Sequence, residues 1–235
     1  MIYVISDLHG YPLDKFKKLL KKAGFGSHRG DFLYILGDVV DRNGDGGAQM
    51  LYWLTEQPDI QLILGNHEAM LMACDFIFDE ITPETIKNLD TQKMELLDNY
   101  VKNGGGVTIQ GLAKLSKDQR MYILEYLKEC PLYETVCIKD KDYLLVHAGL
   151  DNFSPDKKID DYTADELIWT WPEIDDEYYT DIMTIFGHTS TSSYGEEYMG
   201  KIIKTKTWMD IDVGAGFGRE PVLLRLDDMK EFRLE

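Results

Sequence analysis

The chain is poor in cysteine, in basic charge, in histidine and in long apolar runs. Its 235 residues include three cysteines, Cys74, Cys130 and Cys137, with no C-x-x-C spacing. An odd, scattered set excludes a disulfide framework and a thiolate metal cluster, and it suits a reducing compartment. Cys74, inside "AMLMACDFIF", reads as a core residue. Twenty-five basic residues stand against 42 acidic ones, a formal charge of −17. That balance argues against a nucleic-acid partner, because neutralising a phosphate backbone takes clustered Lys and Arg. The one basic cluster, "KFKKLLKK", reads as the wet face of a helix. No apolar run approaches the roughly 20 residues of a membrane span. The start, "MIYVISDLHG", has neither a basic segment nor a long apolar one, so no secretory signal is expected. The expectation is a cytoplasmic protein with no membrane partner.

What is present is an alternation of short strands and helices. "IYVIS" (2–6), "FLYILG" (32–37), "IQLILG" (60–65), "YLLVHA" (143–148) and "IMTIFG" (182–187) are nearly continuous apolar runs. Strands covered on both faces read this way. "KIIKTKTWMDID" and "PVLLRLD" alternate more and suggest antiparallel strands with one wetter face. "PLDKFKKLLKKAGF" places Phe16, Leu19, Leu20 and Ala23 at helical spacing, with Pro12 near the start and Gly24 as the stop. Helices are also expected over 47–57 and 68–79. Capping boxes at Ser116/Gln119 and Thr163/Glu166 open two more. With no repeat or linker in view, the chain reads as one α/β domain over 1–235, with a mainly helical insertion at about 68–132.

The exits of the buried strands share a chemistry. They are followed by "DLHG", "DVVDR", "NHE", "HAG" and "GHT". Four of the five histidines stand there, and His28, in "GSHRG", is left as a plain loop residue. Ligands of open α/β sheets bind beyond the carboxyl ends of the strands. Asp7 and His9 are two apart, so in extended chain both would face one side. Asp7, His9, Asp38, Asn66, His147 and His188 then make six oxygen and nitrogen ligands. That exceeds one tetrahedral zinc site and fits two divalent ions sharing a carboxylate. Asp38 is the natural bridge. Such a pair, about 3.5–4 Å apart, holds a hydroxide and a phosphate between its ions. Each residue alone has a bland explanation as a helix cap or a hydrogen-bonded structural histidine. Five such sites in succession do not.

The series "DLHG … GDVVDRN … GNHE … HAG … GH" resembles the calcineurin-like metallophosphoesterases. Within them it resembles the phosphoprotein phosphatases, and the small bacterial and lambda-phage serine/threonine type in particular. "NGGG" (103–106) and "LIW" (167–169) echo that type too. The resemblance implies a central β-sandwich flanked by helices. It assigns one ion to Asp7, His9 and Asp38 and the other to Asp38, Asn66, His147 and His188. Manganese is the first choice of metal, with iron, zinc, nickel or cobalt as alternatives. A metal-bridging hydroxide would attack phosphorus directly. His67 would protonate the leaving oxygen and Asp41 would orient it. Arg42, with Asn66 and His67, would contact the phosphate.

Two departures from the pattern matter. Asn43 replaces the glycine of D-R-G and is expected to take a left-handed backbone in its place. In "LIWTWPEI", Trp171 stands where related phosphatases carry a second phosphate-binding arginine. Arg219 is the candidate substitute. Trp171 reads first as a core residue, with stacking on an aromatic substrate group as the alternative. "GAGFG" (214–218) reads as a turn. The first expectation is therefore hydrolysis of phosphate monoesters, on phosphoserine or phosphothreonine proteins, possible dual specificity included, or on small phosphate esters. A diadenosine tetraphosphatase with the same site is the alternative, and a catalytically weak metal-binding interaction protein is the third.

Overall fold

A computed structural model describes residues 1–234. Its strands are β1 (Ile2–Ile5), β2 (Phe32–Ile35), β3 (Ile60–Leu62), β4 (Tyr133–Ile138), β5 (Lys141–Val146), β6 (Ile182–Phe186), β7 (Ile203–Lys204), β8 (Trp208–Asp210), β9 (Leu223–Arg225) and β10 (Lys230–Phe232). They form two five-stranded mixed sheets, ordered β10-β9-β1-β2-β3 and β4-β5-β6-β8-β7. In the first, β1, β2 and β3 run parallel. In the second, β5, β6 and β8 do.

The period-2 geometry of the strands divides the core. Val4, Leu36 and Leu224 of the first sheet meet Leu145, Ile185 and Met209 of the second, and these form the filling of a sandwich. Tyr3 and Ile5, on the opposite face of β1, pack with Phe16, Leu19 and Leu20 of helix α1 (Leu13–Ala23). Val146 and Phe186 pack outward with Leu167 and Ile168 of a short helix, Ala164–Ile168. Layers of helix, sheet, sheet and helix result, which is the expected sandwich. As expected, α1 turns its lysines to solvent and stops at Gly24, whose φ of 79° is left-handed. Cys74 is buried, and all three cysteines are free. No helix among the described residues is long and apolar enough to cross a membrane.

Helix α2 (Ala48–Leu54) lies between β2 and β3, and five further helices with their turns lie between β3 and β4: α3 (Asn66–Ala73), α4 (Pro83–Lys87), α5 (Thr91–Tyr100), α6 (Gly106–Ala113) and α7 (Lys117–Lys128). The helix expected over 47–57 is limited to α2, and that expected over 68–79 starts earlier and ends in a 3-10 turn, Asp75–Phe78.

Two sequence expectations need correction. β4 escaped notice, because "YETVCI" mixes charge with apolar residues. It joins β5 by a hairpin whose turn residues, Lys139 and Asp140, have φ of 50° and 62°. Such turns are found in sequence by glycine or asparagine, which are absent here. β8 is antiparallel to β7 as expected, but it is parallel to β6 and buried along its length. It is an interior strand with no wet face.

Candidate active site

Every candidate residue sits just beyond the carboxyl end of a parallel strand. Asp7 and His9 follow β1, Asp38, Asp41 and Arg42 follow β2, and Asn66 and His67 open α3 after β3. From the other sheet come His147 after β5 and His188 after β6. Hydrogen bonds join the two groups across the sandwich. The His188 N–H donates to Asp7 Oδ2 at 2.9 Å, and His147 Nδ1 lies 2.6 Å from the Leu36 carbonyl.

The backbone is bent sharply at these points. Of ten non-glycine residues with positive φ among those described, six are candidate site residues: Asp7, His9, Asp38, Asp41, Arg42 and His188. Left-handed backbone is costly outside glycine and persists only where surroundings enforce it. The extended geometry expected for Asp7–His9 is thus wrong: both lie in a left-handed turn, with φ of 52° and 40°. Asn43 is not among these residues either. The left-handed positions around it are Asp41, Arg42 and Gly44.

Asp38 is the centre. Its Oδ2 lies 3.5 Å from His9 Nε2 and 3.9 Å from His67 Nε2, and its Oδ1 lies 3.4 Å from His147 Nε2. Ligand atoms of His9, Asp38 and His67 gather within 4.8 Å, and so do those of Asp38, His147 and His188. Asp38 belongs to both groups. Asp7 Oδ1 is 3.9 Å from His9 Nε2. One terminal atom of Asn66 lies 2.9 Å from His147 Nε2, 3.0 Å from His188 Nδ1 and 3.3 Å from both oxygens of Asp38. All six expected ligands therefore converge. The grouping adds His67, for which a different role was expected.

The donor set suits divalent cations. It is made of oxygen and nitrogen without thiolate. Asp7 Oδ1 and His188 Nε2 are buried and have no hydrogen-bond partner. The Asn66 atom, as an oxygen, is ringed by acceptors, an arrangement that a shared cation relieves. His9 and His147 turn Nδ1 to the carbonyls of Val40 and Leu36, which leaves Nε2 free as a ligand. Burial lowers the pKa of His9 and of His188 to about 3 and also lowers that of His147, so the neutral, ligating form is favoured. Burial, then the charges of Asp212 and Asp38, raises Asp7 well above the usual carboxylate range. Burial raises Asp38 too, but its ring of histidines, His147 first, outweighs this and holds it low.

Beside this centre lies a second constellation. His67 Nδ1 is 2.6 Å from Asp41 Oδ2, and its Nε2 is 3.2 Å from the Arg42 guanidinium. Burial would lower the His67 pKa. The carboxylates of Asp38 and Asp41 outweigh that and raise it above the ordinary value. Asp41 Oδ1 accepts from Tyr100 Oη at 2.8 Å and from Thr108 Oγ1 at 2.5 Å. Arg42 N donates to the Gly104 carbonyl. The stretch between β3 and β4 thus buttresses the Asp41–Arg42 corner, and "NGGG" is explained by it. Gly104 has φ 103° and lies against Arg42, where a Cβ would come within 3.0 Å of Arg42 Cγ.

Several contributing residues were not identified from sequence. Glu68, fully buried, accepts the backbone N–H groups of Asp38, Val39, Val40 and Gly65, so it ties the β2 exit to α3. Burial pushes its carboxyl up to about 7. "GNHE" was the only available sign of it. Asp212, just past β8, is buried among these charges, and burial raises it to about 7. "GAGFG" is a turn as expected, yet it also forms part of the wall. A Cβ on Gly216 would stand 2.5 Å from His9 Cδ2 and 2.9 Å from Arg42 Nη1, and the Arg42 guanidinium lies over the Phe217 ring at 5.2 Å.

Trp171 corrects an expectation. It is 68% exposed and is no core residue, and its ring centroid lies 5.8 Å from that of His188. Core packing has no claim on it, because "TWPE" crosses the surface as a loop. Trp169, 41% exposed, also contacts His188, at 6.3 Å. Arg219 is exposed and runs alongside Gly214 and Gly200. His28 is the plain loop residue expected, in a turn with Asp31.

The family model for calcineurin-like phosphoesterases matches residues 1–211. A symmetrical bis(5'-nucleosyl)-tetraphosphatase from Acidovorax sp. (strain JS42) is 29% identical over 167 residues, covering 71% of this chain and 47% of that protein. The chain spans about half the length of the curated relatives it matches. Among solved structures, a proposed diadenosine tetraphosphatase superposes with TM-score 0.62 at 17% identity, over 99% of this chain and 92% of that one. A protein serine/threonine phosphatase from Saccharomyces cerevisiae gives 0.59 at 18%, over 94% and 71%. These two likenesses are of fold. The family match covers most of the chain, and with it this protein belongs to the calcineurin-like phosphoesterases, hydrolases that act on phosphoesters.

Proposed function

We propose that the chain hydrolyses the phosphate chain of dinucleoside polyphosphates at a site for two divalent metal ions. The observation that supports the chemistry is Asp38, whose two oxygens face separate sets of histidines. Asp7, His9 and Asp38 would hold one ion, and Asp38, Asn66, His147 and His188 the other. When bound, the pair supplies Lewis-acid charge and an activated water. The protein's own groups do the rest. Arg42 grips a non-bridging phosphate oxygen through its planar fork. Asn66 and His67 line the same place. His67 hands a proton to the departing oxygen, with its ring held and its imidazolium stabilised by Asp41. A water oxygen bonds to phosphorus, the bridging P–O bond breaks, and diadenosine tetraphosphate cut at its middle gives two ADP.

The choice of substrate rests on the curated relatives named as symmetrical tetraphosphatases. It replaces phosphoserine and phosphothreonine proteins as the leading candidate, and these remain the second reading. A catalytically weak binding protein is disfavoured by the intact Asp41–His67–Arg42 network.

The deciding experiment is a turnover panel with added Mn²⁺, comparing diadenosine tetraphosphate with phosphoserine and phosphothreonine peptides. Release of ADP without peptide dephosphorylation is expected. The reverse preference would return the function to phosphoproteins. His67→Asn should lower turnover by roughly 10²–10⁴-fold with the metal content unchanged. Undiminished turnover would remove His67 from the proposed role.

A further inference from the structure

The indole of Trp171 has no structural task that accounts for its place. A tryptophan at 68% exposure leaves a large apolar surface in water next to a buried ionic centre. Its contact with the protein's interior is the perpendicular one with His188. Trp169 makes the same contact from a less exposed position, so shielding of His188 does not require both.

The loop that carries Trp171 is nevertheless held firmly on both sides. Thr170 Oγ1 donates to the Glu166 carbonyl at 2.7 Å, and the Trp169 N–H donates to the Asp165 carbonyl at 3.1 Å. Pro172 is buried, and a Cβ on Gly149 would come within 3.0 Å of its ring. Gly149 lies two residues after His147, so the loop is packed against the exit of β5. An exposed aromatic ring on a fixed loop loses little freedom on binding a flat partner.

We propose that Trp171 is a specificity-determining residue on which a nucleobase of the substrate stacks while its phosphate chain lies over the Asp38 centre. The inference rests on the nucleotide reading above and adds the group that selects it. Stacking accepts any base, because every base has a π-face. A ring here supplies no charge, so it would favour substrates by their base and not by an extra phosphate. The tyrosyl ring of a phosphotyrosine peptide is the competing occupant. It is disfavoured because the curated relatives act, by their names, on dinucleotides.

The test is calorimetric titration of the metal-loaded protein with ADP and, separately, with pyrophosphate, which has no base. Wild type should prefer ADP. Trp171→Ala should weaken ADP by roughly 5- to 150-fold, the loss expected for one stacked base, so that its preference over pyrophosphate collapses. Trp171→Phe should restore most of it. A merely structural role would weaken both ligands together or lower the melting temperature, and either result overturns the proposal. So does an unchanged ADP-to-pyrophosphate ratio in Trp171→Ala. Loss of phosphotyrosine-peptide binding with ADP binding intact would assign the ring to that ligand instead. With diadenosine tetraphosphate as substrate, Trp171→Ala should raise KM more than it lowers kcat. Wild type that fails to cleave that compound overturns the nucleotide reading, while the ADP titration still decides the stacking.

Discussion

Replacing Asp41 by Asn isolates the support of His67 from everything else at the site. Asp41 is fully buried, and its two oxygens have separate duties. Oδ1 accepts from Tyr100 and Thr108, and Oδ2 faces His67 Nδ1 at 2.6 Å. Asn keeps the shape and can keep Oδ1 as the acceptor, so the Tyr100 and Thr108 bonds survive. Its NH2 then meets the Nδ1–H of His67, donor against donor. The ring must take the other tautomer or lose the bond. A hydrogen bond to a charged group contributes about 1.5–3 kcal/mol. If that is felt wholly in the transition state, turnover falls roughly 10- to 150-fold at about 1.4 kcal/mol per tenfold. The pH profile carries a second signature. Burial lowers the pKa of His67, and Asp38 and Asp41 raise it past that to above its ordinary value. An acid works only while protonated, so turnover falls as pH rises through that pKa. Without the Asp41 charge the pKa drops, and the alkaline limb moves to lower pH. The assay is kcat against pH on diadenosine tetraphosphate or another cleaved ester, with bound metal measured in parallel and expected to be unchanged. A loss under about twofold with an unmoved limb would refute the role given to Asp41.

Arg42→Ala should cost roughly 100-fold or more in kcat/KM, since a bidentate grip on phosphate comprises two charge-assisted bonds; steady-state kinetics showing less than about threefold would mean that the phosphate is anchored elsewhere. Gly216→Ala drives a Cβ into His9 and Arg42. Overpacking of this kind costs about 1–3 kcal/mol, so both the melting temperature and turnover should fall, and a variant indistinguishable from wild type would separate this turn from the site. Glu166 is lowered to about 2 by its bonds to Lys157 and to the Thr163 N–H. A depressed carboxyl stabilises the fold above its unfolded pKa and loses that contribution as pH falls through the folded one. The melting-temperature gap between wild type and Glu166→Gln should therefore shrink between pH 5 and pH 2, and a constant gap would show that the charge is irrelevant.

Much of the site is legible in the sequence because its parts recur in one context. Each is a polar residue placed directly after an apolar run, and strands covered on both faces make such runs conspicuous. Asp7, His9, Asp38, Asn66, His147 and His188 were found this way, and all converge. Their local geometry was not legible. Asp7 and His9 reach the centre through a left-handed turn, and no spacing rule for extended chain describes that. β4 was missed for a similar reason, since its turn lacks the residues that usually announce one.

The sequence by itself determined five apolar strands alternating with helices and the polar residues that stand at their exits. These are properties of neighbouring residues and of composition. Only the tertiary structure decided which distant groups support them: Tyr100 and Thr108 behind Asp41, Glu68 beneath the Asp38 loop, and Gly216 and Phe217 against Arg42. It also decided that Trp171 stands in solvent beside His188. Burial depends on what the rest of the chain brings to a position, and a tryptophan inside "LIWTWPEI" carries no mark of whether anything will cover it.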